Sequence, residues 1–541
     1  MEYLQAHEIS YTHPDKELLL DKINIVVQPH QKAALVGNNG TGKSTLLKIL
    51  ARLLEPSSGV IESSSRPYYV PQHFGQYNHL SVAEALQVDV KLKALAQIRG
   101  GSMDEGLMSQ LNEDWNIEER THEALDNWGL GQISLEDRLH SLSGGEKTKV
   151  FLAGMAIHVP TIILLDEPTN HLDGKGRSLF HDYMESTNNI ILAVSHDRML
   201  LDMLEPFYEL ARQKIKLYQG NYHFYREAKE SEIQSIRHNL KEEEKKLKAA
   251  RKTAQDALER KQKSDARGTK KHKGNVPPVV LHQLKNKAEK SSSKLKGIHH
   301  EKIESIRKDI SRYRKDISGI DEMKMDFDGT DLYTGKILIN CRKVNYRLLG
   351  KNLWKELVNF DIRSGDRVDL QGDNGSGKTT LIKLLLGITQ PSSGTISRPS
   401  FKWAYIDQEY SMVDDQITVY EMAQKFNDGS LQEHEIKIRL FRYLFDKGSW
   451  NKSCRALSGG EKMKLALCCL MISTKAPDLF ALDEPTNNLD LQNIEILTSA
   501  IRSYHGTVIA VSHDKKFLEE IGINRKIQIL DGQVISPETY R

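Results

Sequence analysis

The chain has 541 residues, 39% hydrophobic and 28% charged, with a net charge of +3, which is length and composition for several ordinary globular cores. No run approaches the ~20 consecutive apolar residues of a membrane-spanning helix. Met1, Glu2, Tyr3, His7 and Glu8 open the chain without the basic and apolar regions of a secretion signal, so a soluble cytoplasmic protein is expected.

From the N-terminus, the first element that carries chemistry is a short apolar strand, Lys32 to Val36. It runs through Gly37-Asn38-Asn39-Gly40-Thr41-Gly42-Lys43-Ser44-Thr45 into an apolar helix. This is a complete P-loop in the strand–loop–helix setting that the motif needs. Its glycines let backbone N–H groups wrap phosphates at a helix N-terminus. Lys43 suits the β- and γ-phosphates, and Ser44 suits Mg²⁺. Gln72 lies 35 residues after Gly37, past a further short strand. There an amide can reach the metal or the attacking water, although glutamine is also a common surface residue. Ser143-Gly144-Gly145-Glu146 opens a helix and offers a second anion-binding N-terminus. The apolar strand Ile162 to Leu165 ends in Asp166, an outer ligand for Mg²⁺, and Glu167, a base that polarises water. Ile190 to Val194 ends near His196, placed to sense a γ-phosphate.

Residues 226–328 are of another kind, with 28 Lys and Arg against 18 Asp and Glu, a net of +10 that leaves −7 for the remainder. Ile233, Ile236, Leu240, Leu247, Ala250, Ala254 and Ala257 alternate at spacings of three and four, interrupted by Glu243. Leu295, Ile298, Ile303, Ile306, Ile310, Tyr313, Ile317 and Ile320 do nearly the same. Gly274, Pro277 and Pro278 break the pattern between them. The expectation is an antiparallel helical hairpin with a basic tip at Lys270, Lys271 and Lys273, each helix reaching about 60 Å. A charge run alone also suits a solvated spacer. The seam and the proline-broken cationic tip favour a rigid probe for a phosphate-rich target.

The first elements then recur. A strand from Arg367 to Leu370 leads into Gly372-Asp373-Asn374-Gly375-Ser376-Gly377-Lys378-Thr379-Thr380. Gln408, Ser458-Gly459-Gly460-Glu461, Asp483-Glu484 and His513 follow in the same order, with Lys378, Thr379 and Asp483 matching Lys43, Ser44 and Asp166. The step from Asp to His is 30 residues in each copy (166 to 196, 483 to 513). The chain is two copies of one nucleotide-binding domain, 1–225 and 329–541, around the basic segment. The four cysteines, Cys341, Cys454, Cys468 and Cys469, show no CxxC spacing, and buried reduced thiols are expected. Each copy has its own phosphate cradle, so a second one at Ser143 or Ser458 is useful only over the other copy's nucleotide.

This set of motifs resembles the ATP-binding cassette (ABC) ATPases over both copies, about four-fifths of the chain. The resemblance implies an α/β fold: two P-loop ABC ATPase domains joined by a long α-helical antiparallel hairpin. It implies ATP and Mg²⁺ as cofactors, hydrolysis to ADP and phosphate, and a monomer whose cassettes pair head to tail. One site would join Lys43, Glu167 and His196 to Ser458, and the other Lys378, Glu484 and His513 to Ser143. Tyr11 and Tyr346 would stack on adenine. Tandem cassettes around a charged linker, EPTNHLD (167–173), EPTNNLD (484–490) and GNYHFYREAK (220–229) are closest to the ABC-F branch. Membership implies binding at the tRNA exit site of a 70S-type ribosome, without a membrane subunit. The linker would then point toward rRNA, the P-site tRNA and the peptidyl transferase centre. From Gln72 to Ser143 is 71 residues, against 50 from Gln408 to Ser458, and the 21 extra residues near 91–114 resemble a shortened ABC-F arm. A short arm with a long linker resembles members that protect ribosomes from antibiotics. A general translation factor and the detached ATPase subunit of a transporter are the alternatives.

Overall fold

A computed structural model of the chain describes residues 2–271, 297, 300–313, 333, 335–348, 350–473 and 476–535. Contacts gather Met1–Tyr225 and Met323–Arg541 into one unit and Arg226–Glu322 into another. In the first unit each sequence copy builds a six-stranded sheet. Its order is Tyr68–Val70, Ile162–Asp166, Ile190–Val194, Lys32–Val36, Phe207–Ala211 and Lys214–Tyr218. The second copy repeats it with Trp403–Ile406, Leu479–Asp483, Thr507–Val511, Arg367–Gly372, Arg525–Leu530 and Gln533–Ile535.

All neighbours are parallel except the last hairpin of each sheet. Ile162–Asp166 and Ile190–Val194 are buried at every position. A continuous apolar run without alternation is what a parallel strand covered on both faces requires. Parallel direction also brings the strand ends together: Asp166 is paired with Val194, and Asp483 with Val511. That carboxyl edge is where open α/β sheets take ligands.

Each copy adds a three-stranded antiparallel sheet, with Leu4–Thr12 central in the first and Ile337–Asn345 in the second. The helix Lys43–Leu50 lies between the layers. Leu46, Leu47, Ile49 and Leu50 share one core with Ile9 and Ile23 of the antiparallel sheet and with Leu164 and Leu192 of the parallel one. Each such side chain contributes about 1.5–3 kcal/mol by leaving water, so the loop that starts this helix is tied to both layers. In the first copy the extra residues fold as helices Asp89–Arg99 and Glu105–Leu111. Asp114 just beyond them accepts from Lys91 and Arg120, each at 2.8 Å. The four cysteines are buried and unbridged. Among the described residues no helix is long and apolar enough to cross a membrane.

The linker helix, Tyr222–Lys271, is 50 residues long and spans about 75 Å at 1.5 Å per residue. Its first turn is anchored in the first cassette by an aromatic cluster. Tyr225 stacks on Phe207 with centroids 5.2 Å apart and meets Tyr218 edge-on at 5.1 Å. In the separate linker unit Ile233, Ile236, Leu240 and Leu247 are half-buried on a helix whose other faces are exposed, and Ile310 of the helical residues 300–313 is buried. Leu295, Ile298, Ile317 and Ile320 of the expected second half of the seam lie outside the described residues. The expected tip, including Lys273, Gly274, Pro277 and Pro278, lies outside the described residues.

Candidate active site

In the first copy the P-loop turns on glycines at positive φ, including Gly40 (81°) and Gly42 (100°). A Cβ at Gly42 would meet the Leu19 side chain at 3.0 Å, so the loop is closed against the antiparallel sheet. The Lys43 ammonium donates to the carbonyls of Gly37 (2.6 Å) and Asn38 (3.0 Å), which centres it in the loop. Ser44 Oγ donates to Asp166 Oδ1 at 3.1 Å, across the gap between P-loop and carboxylate strand. Glu167 follows with φ at 50°, a left-handed conformation costly for a non-glycine residue, fixed by its amide's 2.9 Å bond to Val194 O. Its Oε1 sits 3.2 Å from His196 Nε2.

The second copy repeats each feature. Lys378 donates to Gly372 O at 2.6 Å, and Thr379 Oγ1 to Asp483 Oδ2 at 2.6 Å. Glu484 again has φ at 50°, with His513 Nε2 3.2 Å from its Oε1. Both Glu484 oxygens and Glu167 Oε1 are buried without a hydrogen bond of good geometry, and buried acceptors normally have one. Burial pushes the Glu484 carboxyl up to about 7 against the opposing charges of Arg177 and Lys378, and it pushes Glu167 up as well. Burial also holds His513 down to about 4 and His196 well below its ordinary range, so both imidazoles are neutral. A buried carboxyl titrating near neutrality, with unpaired oxygens, can accept a proton from a bound water.

The two copies complete each other's loops. Asn39 Nδ2 donates to Asn488 O at 3.0 Å, and its amide donates to Asp490 Oδ2 at 3.2 Å. The mirror contact is Asn374 Nδ2 to His171 O at 3.3 Å, joined by Lys175 Nζ to Asp373 Oδ2 at 2.9 Å. A Cβ on Gly145 would come within 3.7 Å of Asn374 Nδ2, so the helix start at Ser143 adjoins the Lys378 loop. Ser143 and Ser458 each cap their helix through a reciprocal box with Glu146 and Glu461. The Lys378 site opens into a cavity of about 510 Å³, lined by Arg177 and Asp197 from one copy and Lys378, Glu484 and His513 from the other.

Four sequence candidates are not drawn into these clusters. Gln72 is half-buried and Gln408 exposed, beyond the ends of their strands. Tyr11 lies in the antiparallel sheet against that layer's core, edge-on to His13 at 6.4 Å, and Tyr346 packs against the corresponding core. The side chains that reach the metal-site carboxylates from the strands preceding the glutamines are tyrosines. Tyr69 donates to Asp166 Oδ2 at 3.0 Å and Tyr405 to Asp483 Oδ2 at 3.1 Å. Their signal was present in the repeat, since each tyrosine stands three residues before its glutamine (69 to 72, 405 to 408).

ATP and Mg²⁺ fit these residues. A lysine centred in a loop of positive-φ glycines is a phosphate cradle. A hydroxyl bonded to a carboxylate is a pair of hard oxygen donors of the kind Mg²⁺ uses beside phosphate oxygens and water. Among the described residues there is no cluster of three or more His, Cys, Asp or Glu that could hold a metal ion.

A family model described as ABC transporter matches residues 20–170 and 356–487, within both cassettes. The ATP-binding protein Uup of Haemophilus influenzae is 31% identical over 528 residues, covering 93% of this chain and 75% of that protein. The ribosome protection protein VmlR of Bacillus subtilis is 28% identical over 531 residues, 96% of this chain and 85% of VmlR. Among solved structures, the RNase-L inhibitor superposes with a TM-score of 0.58 at 20% identity, covering 96% of this chain and 87% of its own, a likeness of fold.

Proposed function

The chain belongs to the ABC family, as an ABC-F-type tandem ATPase, and from that premise we propose that it is a cytoplasmic, ribosome-associated factor gated by ATP. The observation that carries the gate is the reciprocal contact of each P-loop with the other cassette, Asn39 to Asn488 and Asn374 to His171. Nucleotide held in either loop adds binding energy across the same junction, so ATP closes the pair and hydrolysis releases it. Ser44 with Asp166, and Thr379 with Asp483, would hold Mg²⁺, which neutralises charge on the β- and γ-phosphates. Lys43 and Lys378 bind those phosphates, and Ser458 and Ser143 close over the nucleotide from the opposite cassette. Glu167 and Glu484 take the proton of the attacking water, while neutral His196 and His513 orient it.

The target reading rests on the relationship to VmlR, which spans nearly the whole of both chains, and on the net +10 of residues 226–328. Binding is at the tRNA exit site, with the linker directed at the P-site tRNA and peptidyl transferase centre, and the outcome is protection from antibiotics acting there. Replacing 268–280 by a neutral Gly/Ser loop tests it, since no nucleotide motif lies in that segment. ATP turnover should persist while antibiotic protection in cells is lost. Loss of growth without any change in drug susceptibility would favour a general translation factor. Unchanged ribosome binding and protection would make the tip a connector.

A further inference from the structure

We propose that Arg177, supplied by the first cassette, is a positioning residue of the second ATP site and makes that site answer to the first. It stands on the helix Gly174–Ser186, which follows the contacts that His171 and Lys175 make with the Lys378 loop. Its guanidinium is held from its own cassette: Nη1 pairs with Asp197 Oδ2 at 3.1 Å, and Nε donates to Leu172 O at 3.4 Å. Asp197 directly follows His196, whose ring faces Glu167 in the first site. On its other side Arg177 lines the cavity of the second site beside Lys378, Glu484 and His513, and its charge acts on Glu484 and on His513. One cation therefore joins the γ-phosphate sensor segment of one site to the base of the other.

Among the described residues the second copy has no cation in the equivalent place. Eleven residues after each metal-site aspartate (166 to 177, 483 to 494) the first copy has Arg177 and the second Ile494, which is buried in its own core at 2% exposure. The cross-cassette pair Lys175–Asp373 likewise has no charged equivalent at the first site, where the matching residues are Gln492 and Asn38. The guanidinium is thus fixed to the segment that follows His196 while it lines the cavity of the second site, so a shift of that segment with the first site's nucleotide displaces a cation from the second site's wall.

The inference rests on the assignment of Glu167 and Glu484 to separate sites, so each site is isolated by E167Q or E484Q alone. Parent turnover in either background would remove that assignment, and the proposal with it, before Arg177 is changed. In the E167Q background, R177M should lower kcat about tenfold, as loss of a positioning contact requires. R177K should restore most of the rate. In the E484Q background, where Arg177 touches the working site only through Asp197, R177M should lower kcat clearly less than it does in E167Q. That arm controls for folding, since a damaged fold slows both sites. Equal loss in both backgrounds, or an unchanged kcat for R177M in E167Q, would overturn the proposal.

Discussion

Replacing Tyr69 and Tyr405 together by phenylalanine tests the metal site without touching a nucleotide contact. Each hydroxyl donates to a carboxylate oxygen, at 3.0 Å to Asp166 and 3.1 Å to Asp483. The carboxylates are buried, 1% and 7% exposed, and burial together with the carboxylate charge keeps both phenols protonated as donors. A hydrogen bond to a charged group contributes about 1.5–3 kcal/mol. Ser44 and Thr379 still hold the same carboxylates, so the lower figure applies, and 1.4 kcal/mol is about a factor of ten. Outer partners of metal ligands are worth a similar ~10–100-fold in metal affinity. ATPase rate titrated with Mg²⁺ at fixed ATP should therefore show half-saturation about tenfold higher, with kcat at saturating Mg²⁺ within about threefold. An unchanged Mg²⁺ dependence, or a kcat loss that excess Mg²⁺ does not recover, would show that the phenols do not support the metal site.

Glu484 sits in the fold with its pKa raised to about 7. The carboxyl then binds its proton more tightly folded than unfolded, so it favours the fold at low pH and opposes it as pH rises through 7. In nucleotide-free protein, Glu484→Gln should melt above the parent at pH 8, with the gap closing toward pH 5 in a thermal scan. A gap independent of pH would contradict this. Tyr225 is buried between Phe207 and Tyr218, so Tyr225→Ala should cost about 3 kcal/mol in denaturant unfolding, as large aromatic truncations do. Less than ~1 kcal/mol would mean that the linker root is not anchored there. Ser143→Arg should impair nucleotide turnover in the E167Q background, where Lys378 serves, more than in E484Q. The opposite order would refute the head-to-tail pairing.

The chain repeat made the strands and loops readable because parallel strands buried on both faces leave uninterrupted apolar runs, such as Ile162 to Leu165. Lys43, Ser44, Asp166, Glu167 and His196 were legible for the same reason: each ends a strand or opens a helix, where sequence order fixes position. Head-to-tail pairing was expected from the serine-glycine helix starts, but the side chains that make the junction were not legible. Asn39 and Asp490 are 451 residues apart, and no local pattern pairs them. Tyr69 and Tyr405 were hidden by a plausible neighbour, since a phenol on a strand and an amide just past its end both suit a polar edge, and only the geometry shows the phenol reaching the carboxylate. Ile494, set opposite Arg177 by the repeat, looks like a conservative core position until the cavity beside Glu484 is seen.

Co-sedimentation of the E167Q/E484Q variant with 70S ribosomes decides whether the ATP-closed cassette pair holds a ribosome. A base or water-orienting role is worth about 10²–10⁴ in rate, so this variant should bind ATP and stay closed. With Mg-ATP it should pellet with ribosomes in near one-to-one ratio, and with ADP it should remain in the supernatant. Ribosome binding that ignores the nucleotide, or no binding in ATP, would contradict the account.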